Sequence, residues 1–486
     1  MENRWILVID RYDGIVKKAV NMLAGAVSGY IKYVLPVKLI EEVTDDEIKS
    51  NKIITVGYVN TNRLLKLCSD KGNLTSPEAK ESYSIFVGEN LLNPDLQMIA
   101  IAGADDQGVL YGCMQFLNKY MGEVICRNGD MWSETFYQTL LDRPLPEFKT
   151  YDCPAIAHRA LWTWGHVIYD YRKYFENMAK LRLNEVVIWN DIIPLNAKDV
   201  VDYAHSLGIK VIWGFAWGWG VKCDKILETF DDAGCAALKE SVLNTFKKDY
   251  MNSGCDGIYF QSFTELAVDN IGGVLIADLV TDLVNEISGE LLALCPDLHI
   301  QFGLHASSVK THLDIIAKVD KRVHIVWEDC GSFPYNYWVD KVSDFNKTLD
   351  LTETLVKLRG NEEKFGAVFK GMAKLDWNIF EHFESSYILG EKTSQYISAR
   401  RREKAPLWKS LQGSWLKYAD LARRTVLTIS KGNDPIVEAL VEDGAFEEKI
   451  FLPVALYAEM LWNPETDTDT LLEQVAQYPI TEFANI

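Results

Sequence analysis

Residues 185–215 read EVVIWNDIIPLNAKDVVDYAHSLGIKVIWGF. An apolar run, Glu185–Trp189, leads into a helical stretch around Val200–Leu207, then Gly208, then a second apolar run, Lys210–Phe215. A short apolar run, a helical stretch that ends at glycine and another short apolar run predict a strand, a helix with a glycine C-cap and a parallel strand. This unit sets the pattern for the middle of the chain.

The same alternation recurs from about residue 155 onward. Seven strand-like runs are separated by helical segments: Ala160–Trp164, Glu185–Trp189, Lys210–Phe215, Gly257–Gln261, His299–Gly303, His324–Trp327 and Gly366–Lys370. We expect the eighth strand near Ser386–Leu389. The number of units favours a closed (β/α)8 TIM barrel over an open doubly wound sheet.

The segments on either side of the barrel complete an α/β fold class. Residues 1–148 alternate short strands with helices, which predicts a small α/β domain, and Gly103 and Gly108 in it lack the spacing of a phosphate-binding loop, so we interpret them as a strand-to-helix turn. The barrel is expected over residues 149–395. Residues 396–486 read as helices punctuated by proline, which predicts a carboxyl-terminal helical domain.

Composition limits the partners. The 486 residues carry a net charge of −19, which argues against binding to nucleic acid or to an anionic membrane, although a small acidic ligand stays open. No uncharged apolar stretch of about 18 residues occurs, so we expect no membrane span. The nine cysteines are irregularly spaced and the chain begins with a strand, so we expect reduced thiols, a cytoplasmic location and no metal site. A homo-oligomer is compatible with the sequence.

Tryptophan is concentrated at the carboxyl ends of the predicted strands, where the active residues of such a barrel stand. Flat aromatic faces stack on the apolar C–H faces of sugar rings, so this concentration favours a sugar site. A packing role is the alternative for any single tryptophan. The expected sugar-binding residues at these ends are Trp164, Trp189, Asn190, Asp191, Trp217, Trp219, His305, Trp327 and Trp377.

Carboxylates follow the fourth, sixth and seventh predicted strands. Glycoside hydrolysis needs one protonated carboxyl group for the leaving oxygen and one ionised carboxylate that attacks or activates water. Glu265 is the expected general acid, and Asp329 or Glu381 is the expected second carboxylate, with Glu328 as a further choice. A helix-capping role is the alternative for Glu265.

Three segments resemble known glycoside hydrolases. Residues 158–191, with HRAL at 158–161 and YFENMAKLRLN at 174–184, resemble the start of the barrel in the family 20 β-hexosaminidases. Residues 103–112 (GADDQGVLYG) resemble the end of the small domain that precedes the barrel in family 20 and in the family 67 α-glucuronidases, and residues 456–464 (LYAEMLWNP) resemble a helical-domain motif of the α-glucuronidases. The resemblance implies the same three-part plan.

The resemblance also implies roles for residues. Family 20 enzymes place an Asp-Glu pair after the fourth strand, but here Thr264 precedes Glu265, so the aspartate that holds an N-acetyl group is missing. The α-glucuronidases place a single general-acid glutamate there, which Glu265 matches, and a later carboxylate near Glu381. Arg159 stands where family 20 enzymes bind sugar hydroxyls, and it could equally bind a uronate carboxylate.

The resulting hypothesis is an exo-acting glycosidase that removes a terminal sugar from short oligosaccharides, α-glucuronidase-like, without a metal or an organic cofactor. The alternatives are a β-N-acetylhexosaminidase-like enzyme and a non-catalytic carbohydrate-binding barrel. An inverting mechanism follows only from the α-glucuronidase resemblance.

Overall fold

The structure is a computed structural model that describes residues 3–128, 139–190, 192–218, 225–328, 345–372, 385–441 and 446–484. Within these residues the chain forms an amino-terminal α/β sheet and a closed β-barrel surrounded by helices. None of the helices in this part of the chain is long and apolar enough to cross a membrane.

The amino-terminal sheet has six strands. They are β1 (Trp5–Ile9), β2 (Val37–Leu39), β3 (Lys52–Gly57), β4 (Tyr83–Asn90), β5 (Asn93–Gly103) and β6 (Phe148–Asp152), in the spatial order β2-β1-β3-β5-β4-β6. The helices of this part are α1 (Gly14–Ser28), α2 (Asp45–Ser50), α3 (Arg63–Asp70), α4 (Asp106–Gln115) and α5 (Met121–Asn128). Only β4 runs antiparallel to its neighbours. The last strand, Phe148–Asp152, continues this sheet past residue 148, the expected end of the small domain.

The glycine pair of this sheet forms a strand-to-helix turn, as the sequence predicts. Strand β5 ends at Gly103, and the side chain of Asp105 caps α4 by accepting a hydrogen bond of 2.7 Å from the backbone N–H of Gly108. A Cβ at Gly103 or Gly108 would collide with neighbouring backbone atoms. The glycines therefore serve close packing of helix on strand.

Eight parallel strands close the barrel, which confirms the TIM-barrel prediction. In spatial order they are β7 (His158–Trp164), β8 (Glu185–Trp189), β9 (Lys210–Ala216), β10 (Gly257–Gln261), β13 (His299–Leu304), β14 (His324–Trp327), β15 (Lys364–Met372) and β16 (Asn433–Val441). Two short ladders lie outside it: β11 (Asn270–Ile271) with β12 (Val274–Leu275), and β17 (Ile450–Phe451) with β18 (Thr481–Glu482).

Helices follow the barrel strands in sequence. They are α6 (Tyr171–Lys180), α7 (Ala197–His205), α8 (Ile226–Thr229), α9 (Asp232–Thr245), α10 (Ile276–Leu294), α11 (Leu313–Ile316), α12 (Phe345–Leu355), α13 (Ser394–Ile429), α14 (Leu452–Trp462) and α15 (Thr468–Ala476). The unit that opens the sequence analysis folds as predicted: Gly208 has φ +71° after α7, in the left-handed conformation that commonly ends a helix.

The eighth barrel strand corrects the sequence prediction. It is Asn433–Val441, which pairs with both β15 and β7, and not a segment near Ser386–Leu389. The 36-residue helix α13 is thus the connection between β15 and β16, and the barrel continues past residue 395. The proposed division into a barrel at 149–395 and a helical domain at 396–486 is wrong in this respect, because Pro435 and Glu438 interrupt the apolar run of β16.

The last helices pack against the closing strands of the barrel. Every residue of α14 is buried, and the single hydroxyl proton of Tyr457 is shared between the carbonyl oxygens of Ala160 and Val437, each 2.9 Å from the hydroxyl oxygen. Arg182 forms a buried ion pair with Glu459 of the same helix. The segment that resembles the α-glucuronidase motif therefore joins the barrel instead of forming a separate body.

Candidate active site

Glu328 is the first residue after β14 at the carboxyl-terminal end of the barrel, and its carboxylate is buried there. Tyr259 and Gln261, both on β10, donate to Glu328 Oε1, the latter from Nε2 at 2.5 Å. Lys370 Nζ, on β15, lies 2.6 Å from Glu328 Oε2. Side chains along each strand point alternately into and out of the barrel, so inward-pointing residues of different strands meet at one level of the interior.

The environment of Glu328 keeps its carboxyl group ionised. Burial alone raises the pKa of Glu328, but the charges of Lys370 and His305 and the hydrogen bonds from Lys370 and Tyr259 outweigh burial and lower the pKa to about 2. A carboxylate held in this way can stabilise a developing positive charge, attack an electrophilic carbon or accept a proton from water. It is not suited to donate a proton at neutral pH.

Glu265 lies in a different environment on the loop after β10. Its side chain is 51% exposed, and its Oε1 is 3.3 Å from His305 Nε2. The same nitrogen is 3.7 Å from Glu328 Oε2, so His305 stands between the two carboxyl groups. These two oxygens are therefore at most about 7 Å apart. The structure thus brings together Glu265, Glu328 and His305 from the predicted set.

A wall of aromatic rings lines the barrel interior beside Glu328. The ring of Trp162 is 5.0 Å from that of Trp164 and 5.9 Å from those of Trp189 and Tyr259, measured between centroids. All four rings are buried and belong to one interior cluster. The predicted Trp164 and Trp189 therefore reach the site region, and Tyr259 connects the wall to Glu328 through its hydroxyl group.

Three buried polar atoms in or directly after the barrel strands β7, β8 and β10 have no hydrogen-bond partner among the described residues. They are Trp162 Nε1, Asn190 Nδ2 and Ser262 Oγ. Asn190 follows β8, and its Oδ1 accepts a hydrogen bond from the hydroxyl of Tyr387. A buried donor that makes no hydrogen bond costs free energy, so groups of this kind are candidates for contact with a bound ligand. Asn190 is among the predicted sugar-binding residues, and its role stays a prediction.

Three other predicted residues lie elsewhere, which corrects the sequence analysis. Trp217 and Trp327 are almost fully buried in the core layer outside the barrel strands, and Trp217 stacks there on Phe260. They lie on this side because successive residues of a strand point to opposite faces of the sheet. Arg159 lies near the start of β7, at the opposite end of the barrel. Its guanidinium donates to Glu81 Oε2 at 2.5 Å and to backbone carbonyls, so it joins the two sheets and contacts no site residue described above.

Five predicted residues lie outside the described part of the chain. They are Asp191, Trp219, Asp329, Trp377 and Glu381. Their roles as second carboxylate or sugar-binding residues stay predictions.

Sequence reasoning missed Lys370, Tyr259, Gln261 and Tyr387. A signal for the first three was present, because Lys370 is a charged residue at the end of an apolar strand and Tyr259 and Gln261 alternate on one face of β10. Tyr387 carried no such signal, since it lies in a segment without regular structure.

The comparisons with known proteins concern the fold. Neither a family model nor a curated protein matches the sequence. Among solved structures, a family 115 4-O-methyl-α-glucuronidase with specificity for decorated arabinogalactans is similar with a TM-score of 0.50 and 12% identity, over 96% of this chain and 57% of that chain. A family 20 exo-β-N-acetylglucosaminidase from Vibrio harveyi, in complex with N-acetylglucosamine, is similar with a TM-score of 0.50 and 10% identity, over 98% of this chain and 73% of that one. The chain therefore has a fold found in glycoside hydrolases, and these likenesses extend over almost its whole length.

Proposed function

We propose that this chain is a glycoside hydrolase that removes a terminal sugar from short oligosaccharides. The observation that carries the proposal is the pair of carboxyl groups in contrasting environments on either side of His305. Glu328 is buried and ionised, whereas Glu265 is half exposed. Two carboxyl groups whose environments differ in this way divide into an acid and a base or nucleophile.

In this proposal Glu328 faces the anomeric carbon. Its three fixed partners, Tyr259, Gln261 and Lys370, hold the carboxylate in one orientation. A preorganised negative charge in a water-poor interior stabilises the oxocarbenium-like transition state more than the neutral ground state. Glu328 is thus the second carboxylate of the proposal, a role for which the sequence offered Asp329, Glu381 and Glu328.

Glu265 is the general acid of the proposal. It stands on the loop after β10, where it can protonate the glycosidic oxygen of a leaving group that extends into solvent. The imidazole of His305, 3.3 Å away, orients the carboxyl group. The geometry fits removal of an end sugar, because the aromatic wall is buried inside the barrel while the acid is at its mouth.

Uronic acid is the sugar class that we propose for the terminal position. The support for this class is that the similar family 115 enzyme is named an α-glucuronidase and that His305, a basic side chain, lies between Glu265 and Glu328. An N-acetylhexosamine is the second candidate, from the name of the family 20 enzyme. It is less favoured because Thr264 is fully buried, with its Oγ1 accepting from the backbone N–H of His305 at 3.3 Å, so it cannot hold an N-acetyl group.

The test is sugar release from a mixed pool of glucuronate-capped xylo-oligosaccharides and N-acetylhexosamine-terminated glycans, followed by mass spectrometry. The variants are Glu265→Gln and Glu328→Gln, with Glu240→Gln on the exposed surface of α9 as the matched control. We expect wild type and control to release one terminal sugar and both site variants to lose at least about 100-fold in rate. Normal turnover by Glu328→Gln would contradict its assigned role.

A non-catalytic sugar-binding barrel is the competing function. It would use the same aromatic wall to bind a sugar and would need no general acid. Calorimetry with the same pool separates the two. Binding without release by the wild-type protein, unchanged in both variants, would establish the binding function and overturn the catalytic one.

A further inference from the structure

Five titratable side chains meet at the amino-terminal end of the barrel, opposite the candidate active site. The centroids of the three imidazole rings are between 4.3 and 5.8 Å apart. This end of a TIM barrel serves stability more than catalysis, and the proposed function makes no use of it. The five residues stand at the beginnings of five barrel strands: His158, Glu185, His299, His324 and Asp434.

Glu185 fixes the proton of one of these rings. Its side chain is fully buried, Oε1 accepts from Gln301 Nε2 at 2.6 Å, and Oε2 lies 2.9 Å from His158 Nδ1 and 3.6 Å from His299 Nδ1. Only the contact with His158 is short enough for a hydrogen bond. A carboxylate only accepts hydrogen bonds, so His158 Nδ1 carries a proton and His158 Nε2 is the nitrogen that faces away from Glu185.

Both ring nitrogens of His324 face other members of the cluster. His324 Nδ1 lies 2.8 Å from His299 Nε2. His324 Nε2 is buried, has no hydrogen-bond partner among the described residues, and lies 3.5 Å from Asp434 Oδ2.

His158 Nε2 and His324 Nε2 both face the carboxylate of Asp434. His158 Nε2 is 3.2 Å from Asp434 Oδ1. A proton on His158 Nε2 would satisfy Asp434 on one side only, and His324 Nε2 would still point at the carboxylate. A cation between the two imidazole nitrogens and Asp434 satisfies all three groups at once. We propose that His158 Nε2, His324 Nε2 and Asp434 form a binding site for a divalent first-row transition ion, with Zn²⁺ as the best fit.

The separations suit such an ion. Ligand atoms bound at about 2.0–2.2 Å in a tetrahedron are about 3.3–3.6 Å apart, and the two nitrogen–oxygen distances are 3.2 and 3.5 Å. All three ligand atoms lie within 4.8 Å of one another. Two imidazoles, one carboxylate and an open fourth position are a ligand set that Zn²⁺ accepts.

The outer partners orient both ligating rings. His158 donates its other ring N–H to Glu185 at 2.9 Å, and His324 Nδ1 shares a hydrogen bond of 2.8 Å with His299 Nε2. Such carboxylate–histidine–metal arrangements are typical of metal sites. The charges of Lys210, near His158 and His299, and of Lys364, near His324, oppose a cation, whereas Glu185 and Asp434 favour one.

Solvent reaches the site from one side. The side chain of Asp434 is 41% exposed and lines a cavity of about 560 Å³ together with Lys364 and Ala157. An ion can therefore enter and leave without unfolding of the barrel, and the fourth position is open to water.

The experiment is equilibrium binding of Zn²⁺, and of Co²⁺ as a spectroscopic probe, to metal-stripped full-length protein. The variants are His324→Gln and Asp434→Asn, and the matched control is His312→Gln, which removes a half-buried histidine paired with Asp269 elsewhere on the barrel. We expect about one Zn²⁺ per chain, a higher Tm with Zn²⁺, and tetrahedral Co²⁺ absorption in wild type and control. Each site variant should bind more than about 100-fold more weakly.

Three results would overturn the proposal. The first is wild-type protein that binds no Zn²⁺ in the micromolar range. The second is a thiolate-to-Co²⁺ charge-transfer band, which would assign the ion to the exposed Cys126 or Cys153. The third is unchanged affinity in Asp434→Asn, which stands near the surface and decides the question even if His324→Gln does not fold.

Discussion

Lys370 Nζ lies 2.6 Å from Glu328 Oε2, and both side chains are buried at the carboxyl-terminal end of the barrel. A buried ion pair contributes little net stability compared with apolar residues, but loss of one partner leaves an expensive unpaired charge. The pair therefore makes Glu328 a permanent carboxylate at a position where Tyr259 and Gln261 also fix its orientation.

Replacement of the cation tests this relationship. Lys370→Met should cost about 3–5 kcal/mol in the free energy of unfolding, because it leaves Glu328 charged and buried. The double variant Lys370→Met/Glu328→Gln should recover most of that loss, which denaturant unfolding can measure. The pKa of Glu328 should rise in the single variant, and sugar release should fall by at least about 100-fold.

Lys357→Met, at an exposed position after α12, is the control for Lys370.

The sign of the pH dependence of stability is an independent check of the ion pair. The pKa of Glu328 is lowered from 4.5 to about 2, so its contribution to stability is present above pH 4.5 and is lost as the pH falls towards 2. Equal acid sensitivity of wild type and Lys370→Met would argue against the ion pair.

The carboxyl group of Glu447 should give the stability of the protein the opposite dependence on pH. Glu447 is buried, and its Oε1 accepts from the backbone N–H of Tyr169 at 2.7 Å. Burial raises the pKa of Glu447 from 4.5 to about 7, although backbone hydrogen bonds oppose the shift. The folded state thus binds the proton more tightly, and stability should fall as the pH rises from about 4.5 to 7.

Glu447→Gln replaces the titrating carboxyl group with an amide, which neither binds nor releases a proton in this pH range. Relative to wild type, the variant should gain about 3 kcal/mol in unfolding free energy between pH 4 and pH 8. The amide can also change the free energy of unfolding by an amount that is the same at every pH. The measurement is therefore how the difference in unfolding free energy between the variant and wild type changes with pH. A flat difference curve would show that Glu447 does not titrate in this window.

The fold could be predicted well from the spacing of apolar runs, and the eighth strand shows where that signal ends. Seven strands alternate with helices at intervals that only a parallel sheet explains. Strand β16 follows the long helix α13, and Pro435 and Glu438 interrupt its apolar run. It is nevertheless buried, because β15 and β7 cover its two edges and satisfy its backbone. Long-range pairing of this kind has no local sequence pattern.

The site could be predicted only in part, because the sequence does not show towards which face a strand-end residue points. Trp189 enters the barrel interior, whereas Trp327 lies in the outer layer. A shift of one residue exchanges these two faces. Glu328 was the reserve choice among the carboxylates, and its partner Lys370 becomes visible only when β14 and β15 lie side by side.

Arg159 gives a prediction about stability instead of sugar binding. Its guanidinium is fully buried and paired with Glu81 of the amino-terminal part. Glu81→Gln should therefore destabilise the protein by about 3–5 kcal/mol, since it leaves that guanidinium without its counter-charge. The KM for sugar release should stay unchanged in the folded protein.

Glu78→Gln, an exposed neighbour on the same segment, is the control for Glu81. Thermal unfolding and steady-state kinetics on the same samples make the comparison. A raised KM with normal stability would return Arg159 to the sugar site and contradict its structural role.

Gly165, the first residue after β7, allows the close approach of Asn190 and Tyr387. A Cβ at Gly165 would collide with Tyr387 Oη and Asn190 Oδ1, which are hydrogen-bonded to each other. Gly165→Ala should therefore displace both polar groups and raise the KM for sugar release by at least about 10-fold, since one lost hydrogen bond to a sugar is worth about 1.5 kcal/mol.

The matched control for Gly165→Ala is Gly289→Ala, within helix α10, where a Cβ meets nothing within 4 Å. This variant should gain up to about 1 kcal/mol in stability, because alanine favours helix over glycine, and should keep its KM. If Gly165→Ala is folded and its KM equals that of the control, then Asn190 and Tyr387 do not contact the substrate. In that case the buried Nδ2 of Asn190 has a structural role.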